Sequence, residues 1–200
     1  VDGGLWRTNA LRAARFTVIA EEDAQVSVAA TIRPVRRRGG FASSDPRLER
    51  IWGTAAYTHR LCMQGLLLDG IKRDRMPWIG DTALGVLVGA YTFADAGILR
   101  DGLVALGRPR AGYVNGIADY SLWWVIAHGL LLRQFGDTAF AAQEAEAIHA
   151  ALDSLAATAR NGRFRPVRTQ HSFAASGPGS VFIDWGVRLE EGRDATALQL

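Results

Sequence analysis

The chain has 200 residues with a formal net charge of +3, and 48% of them are hydrophobic. That length suits one domain together with part of a second, and the hydrophobic fraction excludes an intrinsically disordered chain. Nearly all basic residues are arginines scattered among acids, and the one basic run, residues 36–38, is short. The sequence therefore lacks the broad basic stripe of a nucleic-acid-binding protein.

The amino-terminal part of the chain is predicted to be β-structure. Residues 15–20 and 25–32 are rich in β-branched side chains and partly alternate between polar and apolar. Two strands alone do not bury a hydrophobic face in water. We therefore interpret residues 1–35 as the C-terminal part of a β-sandwich domain, and residues 36–45 as a linker.

From residue 46 onward the sequence is patterned for helices. The Ser-Asp-Pro sequence at 44–46 is typical of a helix N-terminus, where a capping side chain precedes proline at the first helical position. Asp119 and Asp137 are predicted to cap two later helices, and Gly136 to end one. A sugar-binding role for Asp119, beside Tyr120, is the weaker alternative. The predicted helices cover residues 46–63, 82–93, 95–106, 119–135 and 137–160.

The predicted helices are of two kinds. Those at 82–93 and 119–135 are apolar nearly all round, whereas the one at 137–160 is amphipathic. Fully buried helices that alternate with helices exposed on one side indicate a two-layered ring of helical hairpins. A simple antiparallel bundle would show amphipathic helices throughout, so we predict a mainly α ring instead.

The carboxyl-terminal part departs from this pattern. Residues 180–185 are predicted to be a short strand or extended loop that presents Asp184 and Trp185, and a last helix is predicted to begin near Glu190. An aromatic ring beside a carboxylate is a common arrangement in sugar pockets. A buried tryptophan beside a turn aspartate is the alternative for this pair.

Charge is concentrated in residues 69–81, which follow the first predicted helix. The sequence DGIKRDRMPWIGD holds three carboxylates, three cations and a tryptophan, and its glycines and proline disfavour a regular helix. The spacing of Asp69, Asp74 and Asp81 does not match an EF-hand loop, and no nearby His or Cys supplies a zinc site. Either one of these acids has a raised pKa and donates a proton, or the stretch is a salt-bridged brace.

Other reactive residue types have structural explanations. Cys62 is the single cysteine, so there is no internal disulfide; we interpret it as a buried thiol, with a catalytic pair with His59 as the alternative. The sequence has no Walker loop, dinucleotide-binding or serine-nucleophile motif. The most hydrophobic stretch, residues 117–132, contains Asp119 and is too short to span a membrane. We therefore expect no metal, cofactor or membrane partner.

Five motifs occur together in this chain. The main one is DGIKRDRMPWIGD at 69–81, an Asp, an Arg followed directly by an acid, a Trp and a closing Asp. The others are GGFASSDPRLERIW at 39–52, GIADYSLWW at 116–124, FGD at 135–137 and VFIDW at 181–185. Together they resemble the motifs of bacterial α-L-rhamnosidases of the six-hairpin glycosidase superfamily, and the resemblance covers nearly all of the chain.

The resemblance implies an (α/α)6 toroid preceded by a β-sandwich, with residues 46–200 forming the N-terminal half of the toroid. It implies inverting hydrolysis of terminal α-L-rhamnosides in a bacterium, with a rhamnose-containing glycoside or oligosaccharide as ligand. It implies no cofactor and no metal. It leaves open the oligomeric state and whether the compartment is the cytoplasm or the periplasm.

The resemblance also assigns roles to individual residues. Asp74, directly after the motif arginine, falls on the position of the general acid, where many members have Glu. Asp69 and Asp81 fall on positions that hold the sugar, and Arg73 on one that contacts it or orients the carboxylates. The complete implied substrate-binding set is Asp69, Arg73, Trp78, Asp81, Asp184 and Trp185.

An inverting mechanism also needs a carboxylate base, roughly 6.5–9.5 Å from the acid, to activate water. The resemblance places that base on a Glu beyond Leu200. We therefore expect the chain to be part of a longer protein and to be inactive alone. A six-hairpin glycosidase for a different sugar and a non-catalytic carbohydrate-binding relative are the alternatives.

Overall fold

The computed structural model describes residues 7, 13–20, 25–107, 112–173, 178–185 and 187–195. Within these residues, five α-helices precede a two-stranded antiparallel sheet, so the mainly α prediction is confirmed. The elements are α1 (Pro46–Cys62), α2 (Ile79–Thr92), α3 (Gly97–Gly107), α4 (Ala118–Phe135), α5 (Thr138–Thr158), β1 (Ser180–Asp184) and β2 (Val187–Glu190).

The two helices that are apolar nearly all round, α2 and α4, pack against each other and form the centre of the fold. Helix α3 contacts both of them, α1 packs on α2, and α5 packs on α4. Buried side chains from the two inner helices include Ile79, Val86, Trp124 and Leu131. The predicted inner and outer layers are therefore present.

Local capping explains where several helices begin and end. The Asp45 side chain accepts a hydrogen bond from the Arg47 N–H at 2.9 Å, and the helical segment begins with proline. The Asp137 side chain accepts from the Phe140 N–H at 3.1 Å at the start of α5. Gly136 ends α4 in the left-handed conformation, at φ 66°. These interactions satisfy donors and acceptors that a helix leaves unpaired at its ends.

The prediction that Asp119 caps α4 is wrong. The N-cap is Ile117, which makes no side-chain capping bond, and Asp119 lies in the first helical turn, where it is buried. A carboxylate in the first turn still benefits from the positive end of the helix dipole. Its carboxyl group interacts with backbone N–H groups of that turn and with Trp123, while its Oδ1 has no hydrogen-bond partner.

The predicted helix near Glu190 is also wrong. Residues 187–190 form β2, which pairs antiparallel with β1 through partners that include Val181 and Leu189. Residues 191–195 form a turn and irregular chain, and residues 196–200 lie outside the described residues. An uncapped helix of about ten residues is marginal in water, and the ladder to the buried strand β1 is the stronger alternative.

The strands predicted at 15–20 and 25–32 are not formed in the part of the chain that the structure describes. Residues 13–20 and 25–35 are irregular, and side chains such as Val18, 94% exposed, contact no sheet. A strand needs hydrogen-bonding neighbours, and none of the described residues supplies them here. The β-sandwich stays a prediction.

A single glycine allows α3 to approach α4. The Trp124 indole donates a hydrogen bond to the Leu103 carbonyl at 2.9 Å, and a Cβ on Gly107 would lie 1.5 Å from that indole nitrogen. We expect Gly107→Ala to lower the free energy of unfolding by about 1–3 kcal/mol, the usual cost of overpacking a core. Urea unfolding of the chain measures this.

The exposed Gly129 of α4 is the matched control, because a Cβ there would meet nothing within 4 Å. Gly129→Ala is expected to stabilise the chain by up to about 1 kcal/mol through helix propensity. Equal stability of the two variants would show that α3 and α4 do not approach as closely as described.

Candidate active site

Four aspartates from separate parts of the chain converge around Tyr120. Asp69 lies in the loop after α1, Asp81 in the first turn of α2, Asp119 in the first turn of α4, and Asp184 at the end of β1. Burial raises the pKa of the Tyr120 hydroxyl, and the charges of all four carboxylates raise it further. The fold thus brings together residues from three of the sequence motifs.

The loop at residues 69–76, which carries most of the charged motif, is closed at its base, here called its neck, where Asp69 pairs with Met76. The Asp69 backbone N–H donates to the Met76 carbonyl at 3.0 Å, and its Oδ1 accepts from the Met76 N–H at 2.9 Å. The same oxygen accepts from the Gly70 N–H at 2.7 Å. One oxygen of the predicted sugar-binding carboxylate is therefore used to hold the loop.

We expect Asp69→Ala to open this neck and Asp69→Asn to preserve it, because an amide oxygen accepts both hydrogen bonds. Two bonds of ordinary strength correspond to about tenfold or more in local opening. Residues 72–76 are exposed and include Lys72 and Arg73, so limited trypsin digestion reports that opening. Equal cleavage rates in the two variants would show that the Asp69 side chain does not hold the loop closed.

Asp74 lies on the exposed part of this loop. Its side chain is 45% exposed and forms an ion pair with Arg73 at 3.4 Å, while the Arg73 side chain is 90% exposed. Asp74 and Arg75 both have left-handed backbone, with φ of 54° and 55°. Non-glycine residues in this region cost about 1–3 kcal/mol each and concentrate at functional sites. Asp74 and Arg73 therefore lie at the exposed rim of this loop, whereas Asp69 at its base is half-buried.

Asp81 is half-buried at the start of α2. Burial raises the pKa of its carboxyl, and the charges of Asp69 and Asp184 raise it further. The first helical turn begins at Ile79, whose N–H is hydrogen-bonded by the Asn115 side chain at 3.2 Å. Asn115 is a residue that sequence reasoning missed, and no local signal identifies it because its partner is 36 residues away.

Asp119 is the second residue that the sequence prediction of site residues missed. It is only 5% exposed, and its Oδ1 is buried without a hydrogen-bond partner. Burial is the main cause that raises the pKa of Asp119 to about 7, and the charge of Asp184 adds to it. A hydrogen bond with Trp123 acts in the opposite direction and lowers the pKa. The GIADYSLWW motif favours a cap for Asp119 and a ligand role only second, because burial is not visible in the sequence.

Aromatic rings surround the acids. Trp78 packs edge-on against Tyr120 and Phe173, at centroid distances of 6.1 and 5.8 Å. Trp185 packs edge-on against Phe173 and Phe182 at 5.5 and 5.4 Å and stays 60% exposed. The alternative of a buried tryptophan beside Asp184 is therefore wrong. An exposed, braced ring next to a carboxylate can stack on the apolar face of a sugar.

A groove of about 870 Å³ lies between α1 and α2. Apolar side chains such as Ile51 and Leu84 line most of it, Arg47 and Arg50 are among its basic lining residues, and its acidic lining residues are Asp69 and Asp81. The groove is therefore continuous with part of the acidic site.

Cys62 and His59 do not form a catalytic pair. Cys62 is buried, and its burial together with the charges of Asp69 and Asp81 raises the pKa of the thiol. A nucleophilic cysteine needs the opposite shift. His59 is buried beside Phe93, with ring centroids 6.1 Å apart, and burial lowers its pKa. Both residues belong to the core.

Neither a metal-binding cluster nor a membrane-spanning helix is found among the described residues. No group of three or more His, Cys, Asp or Glu side chains there is arranged to hold a metal ion. Among the same residues, no helix has both the length and the hydrophobicity needed to cross a membrane.

Comparisons with known proteins show which family this chain resembles. The model of the bacterial alpha-L-rhamnosidase 6 hairpin glycosidase domain matches residues 36–186. A rhamnosidase from Klebsiella oxytoca, solved with rhamnose bound, is 27% identical, with a TM-score of 0.56 over 68% of this chain and 30% of that chain. No curated protein sequence gave a significant match.

A GH78 family rhamnosidase of Bacillus sp. GL1 shares the fold, with a TM-score of 0.61 and 24% identity over 74% of this chain and 17% of that chain. The chain thus spans under a third of either structure. The helical layers described above are the corresponding part of the six-hairpin toroid, so the predicted fold class is confirmed. The chain belongs to the bacterial α-L-rhamnosidase six-hairpin glycosidase domain family.

Proposed function

We propose that the protein is a glycoside hydrolase that releases terminal α-L-rhamnose with inversion, and that this chain supplies the acid side of its active site. The observation that carries the proposal is the family match over residues 36–186, which contain all four converging aspartates. The rhamnose bound in the Klebsiella oxytoca rhamnosidase supports a rhamnose-containing ligand. We also propose the domain assignment in which residues 1–35 end a β-sandwich, residues 36–45 form a linker, and residues 46–200 begin the toroid.

In the proposed reaction, Asp74 donates its proton to the glycosidic oxygen as the bond from that oxygen to the anomeric carbon breaks. A water molecule adds to the opposite face of that carbon, and its proton passes to a carboxylate base in a part of the protein outside this chain. The exposed position of Asp74 suits this role, because the leaving group of a bound terminal sugar would extend toward solvent. Arg73, 3.4 Å from Asp74, orients its carboxyl group.

The remaining site residues are proposed to hold the sugar. Trp185 offers an exposed ring face beside Asp184, and its edge contacts with neighbouring aromatic rings keep it in place. The carboxylates of Asp81 and Asp184, with the second oxygen of Asp69, accept hydrogen bonds from sugar hydroxyl groups. Trp78, which packs edge-on against Tyr120, is proposed to add a further aromatic ring to the sugar site.

The test is hydrolysis by the full-length protein of aryl α-L-rhamnosides against a panel of other aryl glycosides. We expect preference for the rhamnoside, and NMR of the first product is expected to show inverted anomeric configuration. Preference for another sugar would favour a different six-hairpin glycosidase. Sugar binding without hydrolysis of any panel member would favour a non-catalytic relative.

A further inference from the structure

Two buried carboxyl oxygens in the site have no hydrogen-bond partner. They are Oδ1 of Asp119, in the first turn of α4, and Oδ1 of Asp184, at the end of β1. The two elements pack against each other, and Asp119 is only 5% exposed. Leaving such an atom unpaired costs about 1–3 kcal/mol or more, so each unpaired oxygen in a native structure calls for an explanation.

The surroundings of this pair are acidic. The charge of Asp184 acts directly on Asp119, and Asp69 and Asp81 act together with both of them on the neighbouring Tyr120. A Trp123 hydrogen bond offsets part of the effect on Asp119. Burial and the Asp184 charge raise the pKa of Asp119 to about 7, so a large fraction of it carries a proton at neutral pH.

A sugar hydroxyl group both donates and accepts hydrogen bonds, whereas ionised carboxylates only accept. A site made of ionised aspartates would thus leave the hydroxyl oxygens without donors. A protonated carboxyl at the orphan Oδ1 of Asp119 provides a donor, and Oδ1 of Asp184 provides an acceptor. Neither oxygen needs to give up an existing partner to do so.

We propose that Asp119 and Asp184 form a carboxyl pair that recognises neighbouring hydroxyl groups of the terminal sugar, with Asp119 protonated as donor and Asp184 as acceptor. This inference rests on the proposed function for the identity of the ligand. It adds a residue and a protonation state that the motif-based roles do not include. It also predicts that sugar affinity depends on the Asp119 proton.

Calorimetric titration of the full-length protein with L-rhamnose between pH 5 and 9 tests the pair. Affinity of the unmutated protein is expected to fall about tenfold per pH unit above the pKa of Asp119, which is about 7. Binding of the free sugar is measured, rather than turnover, because the general acid also needs a proton for turnover.

Two substitutions sharpen the test. Asp119→Asn keeps a hydrogen-bond donor of similar shape, so its rhamnose affinity at pH 6 is expected to drop by less than about tenfold. That affinity is also expected not to fall further as pH rises. Asp119→Ala has no donor and is expected to lose about a hundredfold in affinity. Affinity that does not change with pH in the unmutated protein would overturn the pair, as would equal losses in Asn and Ala. Circular dichroism verifies that both variants are folded.

The pair and the proposed activity fail in different ways. Rhamnose binding with the expected pH dependence but no rhamnoside hydrolysis would support the pair and remove only the activity. Hydrolysis of the rhamnoside combined with pH-independent affinity for rhamnose would contradict only the pair. Absence of rhamnose binding at every pH would overturn the pair together with rhamnose as its ligand.

Discussion

Replacing Asp74 by asparagine is expected to lower kcat for alkyl rhamnosides by about 10²–10⁴-fold, the usual contribution of general acid catalysis. Asparagine matches aspartate in shape but has no proton to deliver to the leaving oxygen. The loss should be much smaller for a nitrophenyl rhamnoside, because nitrophenolate leaves without protonation. A loss that depends on the leaving group therefore identifies proton donation, whereas a positional role would affect both substrates equally.

Asp101→Asn in α3 is the matched control for Asp74→Asn. Asp101 is also an exposed aspartate paired with an arginine, since its carboxylate lies 3.7 Å from Arg33. We expect this variant to hydrolyse both substrates as the unmutated protein does, because exposed ion pairs contribute little to stability. Steady-state kinetics of the full-length protein with the two substrates measures the difference.

Two results would contradict the role of Asp74. One is undiminished turnover of the alkyl rhamnoside by Asp74→Asn. The other is a loss of the same size for both substrates. If Asp119→Asn instead produced a large, leaving-group-dependent loss, the proton donor would be Asp119, whose pKa of about 7 also suits a general acid.

Much of the fold was predictable because its signals are local. The Asp45 and Asp137 caps, and the left-handed Gly136 that ends α4, depend on residues within three positions of each other. The separation into inner and outer helices was predictable as well, because a helix that is apolar nearly all round favours the interior of a fold.

The secondary-structure predictions that failed concern residues whose conformation depends on contacts with distant parts of the chain. Residues 187–190 are a strand because β1 pairs with them, and the pattern of apolar residues alone did not show that partner. The strands predicted at 15–20 and 25–32 show the opposite case, since their composition suits strands while no described residue pairs with them. Strand formation depends on neighbours more than helix formation does, so its prediction from one sequence is weaker.

The sequence indicated candidate acids but not their arrangement in the folded chain. Sequence spacing does not reveal that one carboxylate oxygen of Asp69 accepts the hydrogen bonds that close the loop. It also does not reveal that Asp74 lies on the exposed part of that loop. Nor does it reveal Asn115, which binds the start of α2 from 36 residues away. Asp119 was visible as a residue type, but its burial beside Asp184 is a property of the folded chain.

The buried Asp119 is also expected to lower the free energy of unfolding as pH rises. The pKa of Asp119 is raised from 3.8 to about 7 on folding, so between these values the folded chain holds a proton that the unfolded chain has lost. Stability from this group is full below pH 4 and is lost as pH rises through about 7. A shift of about three pKa units corresponds to about 4 kcal/mol.

Asp119→Asn removes that pH dependence. We expect the variant and the unmutated chain to have the same free energy of unfolding at pH 4, and the variant to be about 4 kcal/mol more stable at pH 8. Urea unfolding of the two chains across this range measures the gain, with Asp153→Asn on exposed α5 surface as a neutral control. A gain that did not change with pH would show that Asp119 is not a buried titrating acid. Stabilisation combined with weakened rhamnose binding is the signature of a residue kept for function at the expense of the fold.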